Sequence, residues 1–219
     1  MTERPRCVVA VVGTDTGVGK TWVTANLVER ARAQGLAVAV RKPVQSYHAA
    51  EVGATDAEVL AAAAGLEPLD VCPAERWYPL PMAPPMAADA LGFPGIGLQD
   101  LAVTWAEGID FGLVETVGGV RSPVAHDGDS GALVGLVAPD RVLLVTDARL
   151  GTINATMLTL GALEKWPAVV FVNRFDPDDD LHRRNLAWLR RHAGVAVETA
   201  LDRTLVRCRS AVDRDRRHS

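Results

Sequence analysis

Between residues 13 and 21 the chain reads Gly13-Thr14-Asp15-Thr16-Gly17-Val18-Gly19-Lys20-Thr21. Glycines let backbone N–H groups turn inward around phosphate oxygens with no Cβ in the way. Lys20 supplies positive charge for β- and γ-phosphates, and the Thr21 hydroxyl is of the type that ligates Mg²⁺. The usual spacing of such loops, G-x-x-x-x-G-K-[ST], would put glycine at position 14. Here Thr14 stands there, and Gly13 lies one residue early.

Further along, Glu115 closes the apolar run FGLV, where an unpaired carboxylate would be costly. Mg²⁺ is a hard ion that takes one or two carboxylates and completes its shell with phosphate oxygens and water. Glu115 and Asp56 are therefore candidate metal ligands beside Thr21. Asp56 has an alternative role as a first-turn acid satisfying a helix dipole. Lys42 ends a second short apolar run, next to the phosphate loop if the sheet is doubly wound.

The loop needs a strand before it and a helix after it, because the helix N-terminus adds partial positive charge. Both are legible. Cys7 to Val12 (CVVAVV) reads as a buried strand, and Lys20 to Gln34 as a helix with Val23, Leu27, Val28 and Ala31 on one face. Leu36 to Val40, Phe111 to Val114, Arg141 to Thr146 and Ala168 to Val172 read as further buried strands. Helices are expected over Thr55 to Ala64, with Thr55 as N-cap, and over Leu98 to Glu107, Thr152 to Lys165 and Asp178 to His192. The last should turn Leu181, Leu186 and Leu189 inward. Glu67 to Pro94 is proline-rich and reads as an ordered loop with a short helix around Met86 to Leu91. Apolar strands alternating with helices predict an α/β fold, a P-loop NTPase-like parallel sheet with helices on both faces, in a single domain spanning 1–219. Arg203 to Ser219 holds six arginines against two aspartates and is expected to be a solvated, partly frayed tail.

Composition narrows the function classes. Of 219 residues, 48% are hydrophobic and 23% charged, with a net charge of −4, an ordinary globular balance that predicts neither a nucleic-acid nor an anionic-membrane partner. Cys7, Cys72 and Cys208 have no metal-binding spacing and suit a reducing compartment. The strand-like run begins within a few residues of Met1, and no apolar stretch approaches about 20 residues. A cytoplasmic location is the expectation.

The loop GTDTGVGKT resembles the G-T-D-T-x-V-G-K-T signature of the ATP-dependent dethiobiotin synthetase family. Lys42-Pro43-Val44-Gln45-Ser46 is similar to that family's K-P-V-x-[ST], and Leu150-Gly151-Thr152-Ile153-Asn154 to its L-G-x-I-N turn. Val114-Glu115-Thr116-Val117-Gly118-Gly119 stands where the family usually has V-E-G-A-G-G. Asp56 and Met82-Ala83-Pro84 fall in the family's order. The resemblance runs from about residue 8 to residue 174, roughly three quarters of the chain.

It implies a homodimeric enzyme that joins CO₂ to 7,8-diaminopelargonate with Mg²⁺ and ATP, closing the ring of dethiobiotin through a carbamate and a carbamic–phosphoric anhydride. By the resemblance, Lys42 contacts the carbamate and γ-phosphate, with Lys20 and Thr16 also catalytic, and Thr16 and Ser46 hydrogen-bond the carbamate. Nucleotide contacts extend over Gly13 to Thr21, Glu115, Thr116, Val117, Gly118, Asn173 and Arg174, Asn173 being the adenine-binding residue; its alternative is to cap the next element. Gly151, Thr152, Ile153 and Asn154 would receive the substrate carboxylate from the partner subunit, or else form an ordinary strand-to-helix turn.

Two alternatives remain open at this level. One is a P-loop ATPase of the partitioning or switch type, although such proteins usually carry a second lysine where Thr14 and Asp15 stand. The other is a synthetase relative with a shifted diamine substrate, because Thr116-Val117 replaces Gly-Ala. The segment Arg121 to Val134 (RSPVAHDGDSGALV) matches no family motif.

Overall fold

The computed structural model describes residues 3–50 and 53–210. In chain order the elements are β1 (Cys7–Gly13), α1 (Lys20–Ala33), β2 (Val38–Arg41), β3 (Gln45–Ser46), α2 (Asp56–Ala64), α3 (Pro68–Val71) and β4 (Trp77–Tyr78). There follow α4 (Pro84–Leu91), β5 (Phe111–Gly119), β6 (Pro123–Ala125), β7 (Gly128–Asp129), α5 (Ser130–Val137), β8 (Arg141–Thr146) and α6 (Thr152–Ala162). The remainder is β9 (Ala168–Val172), α7 (Asp180–His192), β10 (Ala196–Glu198) and α8 (Leu201–Arg209). Six strands form one sheet in the order β10-β9-β8-β1-β5-β2, and every pairing in it is parallel.

The expected α/β architecture follows from β1. All seven of its residues are buried, and successive side chains point to opposite faces. Cys7, Val9 and Val11 pack with α1, α2 and α8 through Val23, Leu27, Leu60 and Leu205. Ala10 and Val12 face the other side with Val134 of α5 and Leu163. Further along that face, Leu144 and Val170 meet Leu186 and Leu189 of α7. Among the described residues no helix is long and apolar enough to cross a membrane.

Several expectations are corrected. Residues 98–107 form no helix beyond a 3-10 turn over Leu98–Leu101. Val103 and Trp105 then turn inward between exposed neighbours and pack with Val8 and Val114, a period-2 pattern of burial. The expected solvated tail from Arg203 is helical through Arg209, with Thr204, Leu205 and Cys208 buried on one face and arginines on the other. The rest of that tail, 211–219, lies outside the described residues. Leu181 is 39% exposed, not inward, because α7 turns Asn185, Leu186 and Leu189 to the core. β2 starts two residues later than Leu36, because Gly35 and Leu36 still close α1 through bonds to Arg32 and Ala31 carbonyls. α6 stops at Ala162, short of Lys165.

Residues 121–134, which carried no motif, form the β6–β7 hairpin and the start of α5. Asp129 caps that helix, its Oδ1 accepting from the Ala132 N–H at 2.8 Å. Thr55 caps α2 as expected, in a reciprocal box with Glu58.

Candidate active site

β1 ends at Gly13 and the chain wraps into α1 through the phosphate loop. The early glycine has a steric reason: a Cβ at Gly13 would lie 2.8 Å from both the Asp15 carbonyl and the Lys20 ammonium. Thr14, in the position glycine usually takes, bonds outward. Its N–H donates to the Val145 carbonyl at 3.0 Å and its hydroxyl to Thr146 at 3.2 Å. Gly17 and Gly19 adopt φ of 74° and 91°, which a β-carbon would strain. Gly19 gives α1 no side-chain cap, which leaves its first N–H groups for a ligand to satisfy.

Lys20 curls back over the loop, donating to the Asp15 carbonyl at 3.0 Å and the Gly118 carbonyl at 2.9 Å. Burial, then the nearby Lys42 charge, pull its pKa down to about 8 against the opposing pull of Glu115, Asp56 and Asp15. A phosphate oxygen placed there would restore the charge.

Glu115 lies on the same face of β5 as Phe111 and Leu113, which aims it at α1. It is fully buried. Thr24 donates to its Oε2 at 2.7 Å, and Lys42 to its Oε1 at 2.7 Å. The Lys42 ammonium also pairs with Asp56 Oδ2 at 2.7 Å. Burial works against the Lys42 charge, but Glu115 and Asp56 outweigh it and hold its pKa above the ordinary lysine value. Burial likewise opposes the charge on Asp56, and Lys42 with Thr21 holds that carboxyl below its usual range.

Thr21 Oγ1 stands 2.8 Å from Asp56 Oδ1 and 2.8 Å from Glu115 Oε1. A hydroxyl has one proton, so it serves these two carboxylates one at a time. Thr21, Asp56 and Glu115 thus bring hard oxygen donors to one point, a set that fits Mg²⁺. Among the described residues no group of three or more His, Cys, Asp or Glu gathers as an all-protein cage.

These groups open on a cleft of about 660 Å³ lined by Thr16, Lys20, Lys42, Ser46, Asp56 and Val117. The Ser46 hydroxyl donates to the Met82 carbonyl at 2.6 Å, tying together two segments that line the cleft. Of the replaced pair, Thr116 is buried and its hydroxyl donates to the Val11 carbonyl at 3.2 Å, away from the cleft, whereas Val117 lines it. Gly118 adopts φ 58° against the Ser122 hydroxyl. Tyr47, His48 and Ser122 also line the cleft. Residue type alone did not mark them, although Tyr47 and His48 simply continue the Lys42–Ser46 motif.

A second cavity of about 540 Å³ lies beyond Gly19, bordered by Trp22, Asn173, Arg174, Phe175, Thr199 and Leu201. Asn173 is nearly buried; its amide donates to the Val18 carbonyl at 2.9 Å and accepts from the Arg174 N–H at 3.0 Å. It caps no helix, since Asp179 caps α7. Arg174 borders both cavities with φ 54°.

Gly151, Thr152, Ile153 and Asn154 border neither cavity of this chain. Gly151 starts α6 with φ 96° and no side-chain cap, while Thr152 is buried, bonding Thr146 at 2.8 Å. Beside this turn Leu150 is 85% and Leu158 68% exposed.

Residues 8–202 match the model of a family described as an AAA domain. The chain is 38% identical over 179 residues to the ATP-dependent dethiobiotin synthetase BioD of Anaeromyxobacter dehalogenans (strain 2CP-C), covering 78% of each chain. It is 41% identical over 163 residues to the protein of the same name from Mycobacterium marinum, covering 71% of this chain and 68% of that one. The Haloferax mediterranei protein of that name is 35% identical over 198 residues, with coverages of 87% and 82%. In three dimensions the fold is similar to the signal recognition particle receptor FtsY of Elizabethkingia anophelis, with TM-score 0.51 and 18% identity over 90% of this chain and 58% of that one. That likeness establishes the P-loop type of parallel sheet. With the loop, the two lysines and Asp56 lining one cleft, Glu115 buried behind them, and relatives matched over most of their length, the chain belongs to the ATP-dependent dethiobiotin synthetase family.

Proposed function

We propose that this chain carboxylates 7,8-diaminopelargonate with CO₂ and closes the product to dethiobiotin at the cost of one ATP. As a member of its family the chain is an ATP-dependent cyclo-ligase of biotin formation. The observation that carries the proposed chemistry is that Lys20, Lys42 and Asp56 line one cleft beside the loop, with Glu115 buried behind Lys42.

In the proposed sequence, one substrate amine attacks CO₂ and loses a proton, forming a carbamate. A carbamate oxygen then attacks the γ-phosphorus and ADP departs, leaving a carbamic–phosphoric anhydride. The second amine attacks its carbonyl carbon, and phosphate leaves as the cyclic urea closes. Such transfer depends on positioning and charge neutralisation more than on covalent help. Lys42 is held charged at the cleft wall by Glu115 and Asp56, aimed where carbamate and γ-phosphate oxygens would meet. Thr16 and Ser46 line the same cleft and supply hydroxyls to the carbamate. Lys20 and the N–H groups of residues 13–21 take the phosphates.

Thr21, Asp56 and Glu115 would hold Mg²⁺, which supplies neutralisation of phosphate charge when bound. The uncapped start of α6 at Gly151 to Asn154 lines neither cavity of this chain, and in a homodimer a second copy would bring its N–H groups to the substrate carboxylate. The exposed Leu150 and Leu158 beside it support a homodimer in that arrangement.

Val117 at the cleft wall favours a second reading, a diamine smaller than 7,8-diaminopelargonate. A panel of diamino acids of graded chain length, assayed for ADP release and ring closure, separates the two. The first reading requires 7,8-diaminopelargonate to have the highest kcat/KM.

A further inference from the structure

Residues 42–46 hold the start of α2 at two points. At the first, the Lys42 ammonium pairs with Asp56 Oδ2 at 2.7 Å. At the second, Gln45 Oε1 accepts from the N–H of Ala57, the next residue along, at 3.0 Å. This second contact is shut off from solvent, since Gln45 is 1% exposed and Ala57 fully buried. It also completes the helix start, where the first N–H groups have no partner inside the helix. The Thr55–Glu58 box takes up the N–H groups of Thr55 and Glu58, and Gln45 takes that of Ala57. Gln45 is itself held in place, because β3 pairs with β4 and the adjoining Ser46 bonds Met82.

We propose that Gln45 is a positioning residue for the metal site. By bonding the Ala57 N–H it fixes the first turn of α2, and with it the direction from which the Asp56 carboxylate reaches Lys42 and Thr21. This role rests on the reading of Thr21, Asp56 and Glu115 as the residues that hold Mg²⁺. The Asp56 side chain is 45% exposed, so packing alone does not fix it. Thr21 divides its one proton between Asp56 and Glu115 and is a weak tether for either. Gln45 is moreover a costly residue at this position, because its Nε2 is buried with no partner among the described residues. An apolar side chain of similar shape would avoid that penalty, but would leave the Ala57 N–H buried without an acceptor. What the glutamine supplies in return is a fixed backbone behind Asp56. Groups that orient metal ligands in this way commonly change metal affinity about 10- to 100-fold when removed.

The test is calorimetric titration of the full chain with the non-hydrolysable nucleotide AMP-PNP, at stepped Mg²⁺ concentrations and in EDTA. Parent chain, Gln45→Met, Asp56→Asn and the double variant are compared. Gln45→Met should raise the Mg²⁺ concentration that half-maximally strengthens nucleotide binding by about tenfold or more, with affinity in EDTA within about twofold of the parent. In the Asp56→Asn background the same substitution should add less than about twofold, because its effect passes through that carboxylate. By NMR, the Ala57 amide should exchange slowly in the parent chain and at least about tenfold faster in Gln45→Met. An unchanged Mg²⁺ dependence in Gln45→Met overturns the positioning role. So does an equal shift in both backgrounds, a matching loss of binding in EDTA, or rapid exchange of the parent's Ala57 amide. Asp56→Asn alone tests the reading beneath it: no Mg²⁺ shift there refutes the metal role of Asp56. A shift there with none in Gln45→Met refutes only the role of Gln45.

Discussion

Lys42 Nζ lies 2.7 Å from Glu115 Oε1, an ion pair with both side chains out of solvent, joining the end of β2 to its neighbour β5. The pair does two jobs at once. It compensates a carboxylate that the strand would otherwise bury alone, and it keeps a cation at the wall of the cleft. Glu115 is also bonded by Thr24 and Thr21 from α1, so the phosphate-loop helix and the sheet share one charge cluster.

Removing Glu115 leaves Lys42 with Asp56 as its remaining counter-charge and takes the buried acceptor from Thr24. Glu115→Ala is expected to cost about 1–3 kcal/mol of stability, measured by urea unfolding. Glu115→Gln keeps an acceptor for Thr24 and should cost less, while raising the Mg²⁺ concentration needed for half-maximal turnover. Equal stability of Glu115→Ala and the parent chain would show that the cluster is not held as described.

The two lysines should separate cleanly. Lys20→Ala removes charge-assisted bonds to phosphate and is expected to weaken ADP binding about 10- to 100-fold. Lys42→Ala should leave ADP affinity within about threefold while kcat falls about 10²- to 10³-fold, the scale of one lost transition-state donor. Retained ADP binding also attests that the second variant is folded. Equal losses of ADP affinity in both variants contradict the roles assigned.

Proton uptake follows from the Lys20 environment. Its pKa of about 8 in the nucleotide-free chain lies below the ordinary lysine value, because burial and Lys42 disfavour its charge. Phosphate oxygens favour the charged form. Nucleotide binding is therefore insensitive to this group below about pH 8 and weakens above it, by up to about tenfold per pH unit for one linked proton. Calorimetry in buffers of different ionisation enthalpy at that pH should register uptake of a proton, and release of one would contradict the assignment.

The thiols give a structural check. Burial pushes Cys7 up to about 11, and Cys72 and Cys208 to about 12. Above their ordinary value of about 9 the unfolded chain loses these protons while the folded chain retains them, so they make stability fall as pH rises through that window. At neutral pH a thiol reagent should modify none of the three until denaturant is added. Rapid native-state modification of any one would show that its site is open.

The sequence was most informative where sterics and periodicity coincide. Residues 13–21 between an apolar run and an amphipathic helix read correctly, and Gly13, which looked one residue out of place, proves to be the position where no Cβ fits. Residues 98–107 misled because Leu98, Leu101 and Trp105 satisfy a loose helical spacing, yet beyond Leu101 Val103 and Trp105 turn inward between exposed neighbours at a spacing of two. The arginines of α8 masked Leu201, Thr204, Leu205 and Cys208, which recur at helical spacing and close one face of the sheet. Trp22 was beyond a linear reading, because its place on the cavity between α1 and β9 depends on the parallel sheet, whereas Asn173 was marked only through the family resemblance.

The most direct test of the proposed reaction is to incubate the purified chain with ATP, Mg²⁺, isotopically labelled bicarbonate and 7,8-diaminopelargonate. The products are then followed by mass spectrometry alongside ADP release. Dethiobiotin carrying the label in its ureido carbon should form in step with ADP. Steady ATP hydrolysis with no label entering any cyclic urea would contradict it.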